Sequence, residues 1–234
     1  MNWNLLVRNL IQPFFFEKLA ASKKAKTYHY NILIMGLKQN INKQFGNPEG
    51  NLGRFVGWLM SIKNRDRANW TIEKLNFKPT DFILEVGYGS GAALKVVAKQ
   101  LTSGFIAGID HSPVMLEQAT KKNRKNIDSK KAELKCGTVW DLDYPEEHFD
   151  IIFGSNVHFF WENPIIEFLK LYSFLKQDGR VIMVFQPRWT KSGEEVKQVA
   201  EKTKEQYEEA GFKNIDIEFK PMKPVTCIYI CGQK

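Results

Sequence analysis

The stretch Asp81-Phe-Ile-Leu-Glu-Val-Gly-Tyr-Gly-Ser-Gly91 decides the fold of this chain. Its apolar residues, interrupted only by Glu85, form the nearly continuous hydrophobic run that is typical of a parallel strand covered on both faces. Three glycines follow at alternate positions and remove side chains that would keep the backbone away from a ligand. The stretch therefore predicts a strand, a glycine turn and a helix over 92–101. Glu85 lies at the carboxyl end of the strand, where open α/β sheets bind ligands.

The rest of the chain predicts an alternation of strands and helices. Apolar runs bounded by turn residues predict strands at 105–110, 132–136, 149–154, 181–185, 212–220 and 226–233. Helical spacing predicts helices at 52–60, 69–75, 164–174 and 194–210, and Ser112-Pro113 is a fitting start for another. Strands that alternate with helices in this way favour a doubly wound α/β sheet.

An acid followed by Gly-x-Gly-x-Gly resembles motif I of the class I S-adenosylmethionine (SAM) dependent methyltransferases. Asp110 strengthens the resemblance, because an acid at the end of the second strand is where the carboxylate accepts two hydrogen bonds from a ribose diol. The resemblance covers residues 50–234. It implies a Rossmann-like, seven-stranded mixed sheet with an antiparallel last strand. It also implies transfer of a methyl group from SAM to a small-molecule acceptor by in-line displacement, as in the quinone-methylating branch. The chain has three cysteines, an odd and sparse set that favours a reducing compartment and hence a cytoplasmic enzyme.

The family's motifs imply a cofactor site on matching positions of this chain. These are Glu85, Gly87, Tyr88, Gly89, Gly91, Asp110, His111, Met115, Thr138, Val139, Trp140 and Asn156. Thr138 departs from the family pattern, since many relatives have an aspartate there that accepts from the adenine amino group. The Val139 backbone and the Trp140 ring are the expected adenine neighbours in its place.

The segment after the fourth strand corresponds to the family's motif IV, which faces the methyl group and the acceptor. Here it reads Ser155-Asn-Val-His-Phe-Phe-Trp161, and an aromatic wall of this kind excludes water and favours a cationic sulfonium. His158 is the candidate general base for a hydroxyl or acidic carbon. A structural role for this histidine stays open. Gln186, Arg188 and Trp189, after the fifth strand, are expected to border the acceptor pocket.

Composition excludes several other classes of protein. The net charge of +8 is concentrated in residues 1–45, which contribute six of these charges, so the remaining domain has no uniformly basic nucleic-acid face. Cys227 and Cys231 are about 13 Å apart on one predicted strand, too far for a disulfide, and are expected to be core thiols. No His/Cys cluster has metal-ligand spacing, so no metal site is predicted.

The N-terminal part is expected to stand apart from the core sheet. Residues 1–50 form a basic, aromatic-rich extension, and residues 51–234 form the methyltransferase domain, whose helices at 51–77 are expected to cap the pocket. Residues 1–45 are compatible with a peripheral membrane contact, with a lid or dimer contact, or with an extension of no specific function.

Two other functions remain compatible with the motifs. Gly87, Gly89 and Ala92 also satisfy the dinucleotide pattern G-x-G-x-x-G/A of NAD(P)-dependent oxidoreductases. The carboxylate of Glu85 favours SAM instead, because it would repel a nearby pyrophosphate. A module that binds SAM without turnover is the second alternative.

Overall fold

The computed structural model describes residues 65–234, so the predicted extension at 1–50 and the helix at 52–60 lie outside the described residues. The strands and helices alternate along the described part as the sequence predicts. In chain order they are α1 (Arg65–Leu75), β1 (Phe82–Val86), α2 (Ala92–Gln100), β2 (Phe105–Asp110), α3 (Pro113–Asp128), β3 (Ala132–Cys136), β4 (Phe149–Ser155), α4 (Pro164–Phe174), β5 (Leu175–Phe185), α5 (Gly193–Glu209), β6 (Lys213–Lys220) and β7 (Cys227–Gln233).

One mixed sheet joins all seven strands in the order β3-β2-β1-β4-β5-β7-β6. Strands β1 to β5 pair in parallel, and β7 runs antiparallel to both of its neighbours. The predicted fold is thereby confirmed. Val86 of β1 pairs with Ile109 of β2 on one side and with Gly154 of β4 on the other. The residues that follow these three strands therefore meet at one carboxyl edge of the sheet.

Two predicted boundaries were wrong. Helix α1 is already present at Arg65, the first described residue, ahead of the predicted start at 69, because this part of the helix buries polar residues, Arg67 and Thr71, that apolar periodicity does not detect. Strand β5 begins at Leu175 rather than at 181, since Leu175 already pairs with Phe149 before an irregularity in the register.

The hydrophobic core consists of two clusters of buried side chains. One cluster includes Phe149, Phe168 and Tyr207, and the other includes Ile83, Leu94 and Phe153. The strands have almost wholly apolar sequences because helices cover both faces of the sheet and bury them. Cys227 and Cys231 are free thiols in the second cluster, as predicted for core cysteines.

Within residues 65–234, none of the helices has the length and apolar character that a membrane span requires. The same part of the chain contains no group of three or more His, Cys, Asp or Glu side chains arranged to hold a metal ion.

Candidate functional site

The glycine turn after β1 lies at the carboxyl edge of the sheet. Among residues 65–234, a Cβ added at Gly89 would meet no atom within 4 Å, whereas one at Gly91 would lie 2.8 Å from the Ala119 Cβ and 2.6 Å from the Asn123 Nδ2. Asn123 donates a hydrogen bond to the Gly91 carbonyl oxygen (2.9 Å). Gly91 therefore permits close packing of α3 against the turn, while Gly89 leaves space into which a ligand can come close to the backbone.

Asp110 ties the end of β2 to this turn. Its Oδ2 accepts a hydrogen bond from the Gly89 backbone N–H (2.8 Å), and its Oδ1 accepts one from the Ser112 N–H (3.0 Å). The residue is 8% exposed, and the neighbouring His111 Nδ1 lies 3.8 Å from its Oδ1. A carboxylate held by two backbone donors keeps lone pairs for a further donor, so Asp110 can accept hydrogen bonds from a diol.

Glu85 is a buried acid with an incomplete set of partners. It is 4% exposed, and its Oε2 has no hydrogen-bond partner in the described part of the chain. Burial and the charge of Asp110 raise the pKa of Glu85 well above its ordinary value, although a hydrogen bond from the Leu94 backbone opposes the rise. A buried acceptor oxygen without a partner suits a cationic ligand group, which would favour the ionised form.

Tyr88 and Met115 both turn their side chains into the core. The Tyr88 hydroxyl donates to the Lys135 carbonyl oxygen (3.1 Å), and the ring crosses β2 above Gly108, where a Cβ would lie 2.8 Å from the Tyr88 Cδ1. Met115 is buried in the same cluster as Tyr88, and its N–H donates to the Ser112 Oγ at 3.4 Å. Because the Tyr88 side chain is in the core, only its backbone can contact a ligand at the carboxyl edge.

The segment after β3 is held by a local capping box that sequence reasoning missed. Asp141 Oδ2 accepts hydrogen bonds from the Thr138 N–H (2.8 Å) and the Thr138 Oγ1 (2.9 Å), and these bonds lower the pKa of Asp141. Val139 is buried, whereas the Trp140 ring is 53% exposed. The Thr138 hydroxyl is therefore engaged by Asp141, whereas the Trp140 ring is available for contact with a ligand. The spacing Thr-x-x-Asp is a recognisable capping signal.

The residues after β4 divide into an inward and an outward group. His158 is buried, with its ring 4.3 Å from that of Phe185, and its Nδ1 has no partner in the described part of the chain. Burial lowers the pKa of His158 to about 3. Phe160 (64% exposed) and Phe159 pack together with ring centroids 4.7 Å apart, and Trp189 lies 5.1 Å from Phe159. Phe160 and Trp189 are therefore exposed, whereas Phe159 and Trp161 are partly buried against the core and His158 is buried.

A polar network that includes a residue absent from the sequence predictions lies beside these aromatic residues. Arg67 donates from Nε to the Ser155 Oγ (3.0 Å) and from a terminal nitrogen to the Gln186 Oε1 (3.1 Å). Asn156 joins the network, since its Oδ1 accepts from the Gln186 N–H (2.9 Å). Asn156 thus has a backbone partner. Nothing in the local sequence distinguishes Arg67 from the other cations of helix α1.

Comparison with known proteins finds similarity to methyltransferases. The family described as "Methyltransferase domain" matches residues 83–179. A Bacillus subtilis protein named uncharacterized methyltransferase YdaC is 28% identical over 76% of this chain and 97% of its own length. A demethylmenaquinone methyltransferase of Lactobacillus johnsonii is 35% identical, over 47% of this chain and 45% of its own length.

Solved structures share the fold. The crystal structure of a SAM-dependent methyltransferase from Aquifex aeolicus superposes with a TM-score of 0.56, covers 73% of this chain and 92% of its own, and is 18% identical. This identity is low enough that the likeness concerns the fold alone.

Proposed function

The chain belongs to the class I SAM-dependent methyltransferases, and on that premise we propose that it methylates a small-molecule acceptor at the carboxyl edge of the sheet. The observation that carries the proposal is the convergence of Glu85, the glycine turn and Asp110 at this edge. SAM supplies a methyl group on a sulfonium, which an acceptor nucleophile attacks in line.

The cofactor would lie against the open face of the glycine turn. Gly89 leaves room for its backbone approach, and Asp110 would accept hydrogen bonds from the ribose hydroxyls. Glu85 Oε2, which lacks a partner in the described residues, fits a cationic group of the ligand. His111, Val139 and Trp140 then border the adenine side, with the exposed Trp140 ring available for stacking.

The remaining candidate residues support the site from beneath. Gly87 and Gly91 shape the turn, and Tyr88 and Met115 fill the core below it. Thr138 and Asn156 hold the two flanking loops through their side-chain hydrogen bonds. We propose that these groups position the cofactor-binding backbone.

Catalysis would come mainly from orientation and exclusion of water. The aromatic cluster of Phe159, Phe160 and Trp189 lines the side of the edge from which an acceptor would approach. We assign His158 a packing role rather than that of a general base, because its ring is enclosed by other aromatic rings and its pKa is lowered to about 3. Holding the nucleophile and the methyl group in line and dry requires little acid–base chemistry.

Calorimetric titration with SAM, S-adenosylhomocysteine and NAD tests the proposal. We expect the first two ligands to bind at micromolar concentration and NAD not to bind. Asp110→Ala should weaken binding by about 1–3 kcal/mol through loss of charge-assisted hydrogen bonds. Asp143→Ala, on an exposed loop residue, is the control.

Three outcomes would count against the proposal. Binding of NAD alone would replace methyl transfer with hydride transfer. SAM binding without turnover across a broad acceptor panel would favour a binding module. Unchanged affinity in Asp110→Ala would remove the ribose assignment.

A further inference from the structure

A groove lies at the carboxyl edge next to the proposed cofactor site. It has a volume of about 740 Å³ and is bounded by helix α1, the residue after β5, and the connection from β6 to β7. Its lining residues are Asp66, Arg67, Asn69, Trp70, Glu73, Gln186, Lys220, Pro221, Met222 and Lys223. The volume is in the range of small-molecule sites.

Arg67 is the buried cation of this groove. It is 5% exposed, and burial lowers its pKa to about 10, although the nearby Cys227 thiol opposes this shift and the charge of Arg188 adds to it. Among residues 65–234 its hydrogen-bond acceptors on other side chains are the hydroxyl of Ser155 and the amide of Gln186, both neutral. No carboxylate of this part of the chain forms a salt bridge with it.

Within the described part of the chain, this buried guanidinium has neutral partners and no counter-charge. Removing a charge from water is costly unless an opposite charge and hydrogen bonds compensate. Ser155 and Gln186 occupy two of the guanidinium's N–H donors, and the remaining donors keep the forked geometry that matches a carboxylate or a phosphate. An anionic ligand would supply the missing charge.

Gln186 holds the guanidinium in a fixed orientation. Its Nε2 donates to the Val225 carbonyl oxygen (2.7 Å), which directs its Oε1 toward Arg67. Its backbone N–H donates to the Asn156 Oδ1 (2.9 Å). A preorganised donor of this kind loses little entropy when it binds a ligand.

The register places Arg67 close to the proposed methyl donor. Gly154 pairs with Val86, so Ser155, the hydrogen-bond partner of Arg67, lies beside Gly87 at the start of the glycine turn. Neighbouring strands are about 4.8 Å apart. A molecule held at Arg67 is therefore within a small-molecule length of the turn.

The other charges of the groove differ from Arg67 in their exposure. Asp66, Glu73 and Lys223 are exposed, so water screens their charges. Lys220 Nζ lies 5.4 Å from the Trp70 ring centre, which adds a cation beside an apolar wall. The buried charge of Arg67 thus dominates the groove.

We propose that the groove holds the methyl acceptor through an anionic oxygen group, a carboxylate or a phosphate, paired with Arg67. This inference rests on the proposed function, because it identifies the acceptor class of the same enzyme. The apolar surfaces of Trp70 and Met222 would contact the rest of the molecule.

Benzoate, phenyl phosphate and the neutral benzyl alcohol serve as probes. Each is titrated by ligand-observed NMR into the full chain with saturating S-adenosylhomocysteine. We expect at least one anion to bind about tenfold or more tightly than benzyl alcohol, because only the anions can accept hydrogen bonds between two charged groups from Arg67. Preference for benzoate identifies a carboxylate, and preference for phenyl phosphate identifies a phosphate.

Three variants locate the effect. Arg67→Met should abolish the anion preference, whereas Lys202→Met, on the exposed face of α5, should leave it unchanged. Arg67→Lys keeps the charge but not the fork, and should reduce the preference about three- to tenfold. If Arg67→Met does not fold, the anion preference of Arg67→Lys tests the role of Arg67.

Equal binding of anions and benzyl alcohol to the wild-type chain would overturn the inference. A full anion preference in Arg67→Met, or in Arg67→Lys if that variant has to decide, would overturn it as well. Failure of the wild-type chain to bind S-adenosylhomocysteine would instead refute the proposed function, so the two failures are distinguishable.

Discussion

Replacing Glu85 by glutamine is expected to stabilise the cofactor-free fold at neutral pH and to weaken cofactor binding. Glutamine keeps the size of the side chain and an oxygen that accepts from the Leu94 backbone. It removes the charge that burial and Asp110 both oppose. The gain in the free energy of unfolding should come from proton linkage and amount to at most about 1.4 kcal/mol for each pH unit above the unfolded-state pKa, up to the folded-state pKa.

The gain should depend on pH in a defined direction. The folded-state pKa of Glu85 is raised above the unfolded value of about 4.3. Between these two pKa values the folded protein holds a proton that the unfolded chain has lost, so this group's contribution to stability falls as pH rises. Glu85→Gln lacks this loss. The two proteins should therefore be similar in stability near pH 4 and diverge as pH increases through the window.

Cofactor binding should change in the opposite direction. If Glu85 faces a cationic group of the ligand, glutamine loses a charge-assisted interaction of about 1.5–3 kcal/mol. The Kd for SAM should then rise about 10- to 100-fold. A change that raises the stability of the free protein while lowering its affinity is characteristic of a group positioned for a ligand rather than for the fold.

Urea unfolding at pH 5 and pH 8 and calorimetric titration with SAM measure both effects. Glu146→Gln, on an exposed loop residue, is the matched control and should change neither. Equal pH dependence of unfolding in Glu85→Gln and the wild-type chain would refute the electrostatic reasoning. Unchanged SAM affinity would refute the assignment of Glu85 to the cofactor.

Two further predictions concern the turn and the aromatic cluster. Gly91→Ala should lower the free energy of unfolding by about 1–3 kcal/mol more than Gly89→Ala, because both glycines have positive φ but only at Gly91 would a Cβ collide with Asn123. Gly89→Ala should mainly weaken SAM binding. Equal destabilisation of the two variants in urea unfolding would contradict the packing difference. His158→Leu should retain turnover. It should also lose less stability than the wild type as pH falls from about 6.5 toward 3, because the folded-state pKa of His158 is lowered and its buried neutral imidazole becomes protonated on unfolding. Loss of turnover with intact SAM binding would instead identify His158 as the general base.

The strands were predictable from sequence because their signals are local. β2 and β3 have the predicted bounds, since each is a short apolar run that ends at a turn residue. Ser112 and Pro113 begin α3 as expected, with the Ser112 hydroxyl accepting from the Met115 N–H. In each case the residues that determine the structure lie within a few positions of one another.

Side-chain roles at the candidate site were less predictable, for two physical reasons. The Thr138-x-x-Asp141 spacing encodes a capping box, whereas the family motif at the same position predicts a contact with adenine. Burial of the His158 side chain depends on rings contributed by other elements, including Phe168 and Phe185. A position at the end of a strand does not determine whether a side chain turns toward solvent or into the core.

Sequence separation explains why the acceptor is harder to infer than the cofactor. Asp110 and Gly89 are 21 residues apart and belong to consecutive βα units, so one motif describes their contact. Arg67 reaches Ser155 and Gln186 across 88 and 119 residues. Such a network depends on the packing of helix α1 against the ends of β4 and β5, and no local pattern encodes it. Substrate class in this fold is therefore best inferred from buried charges such as that of Arg67, which has no counter-charge among residues 65–234.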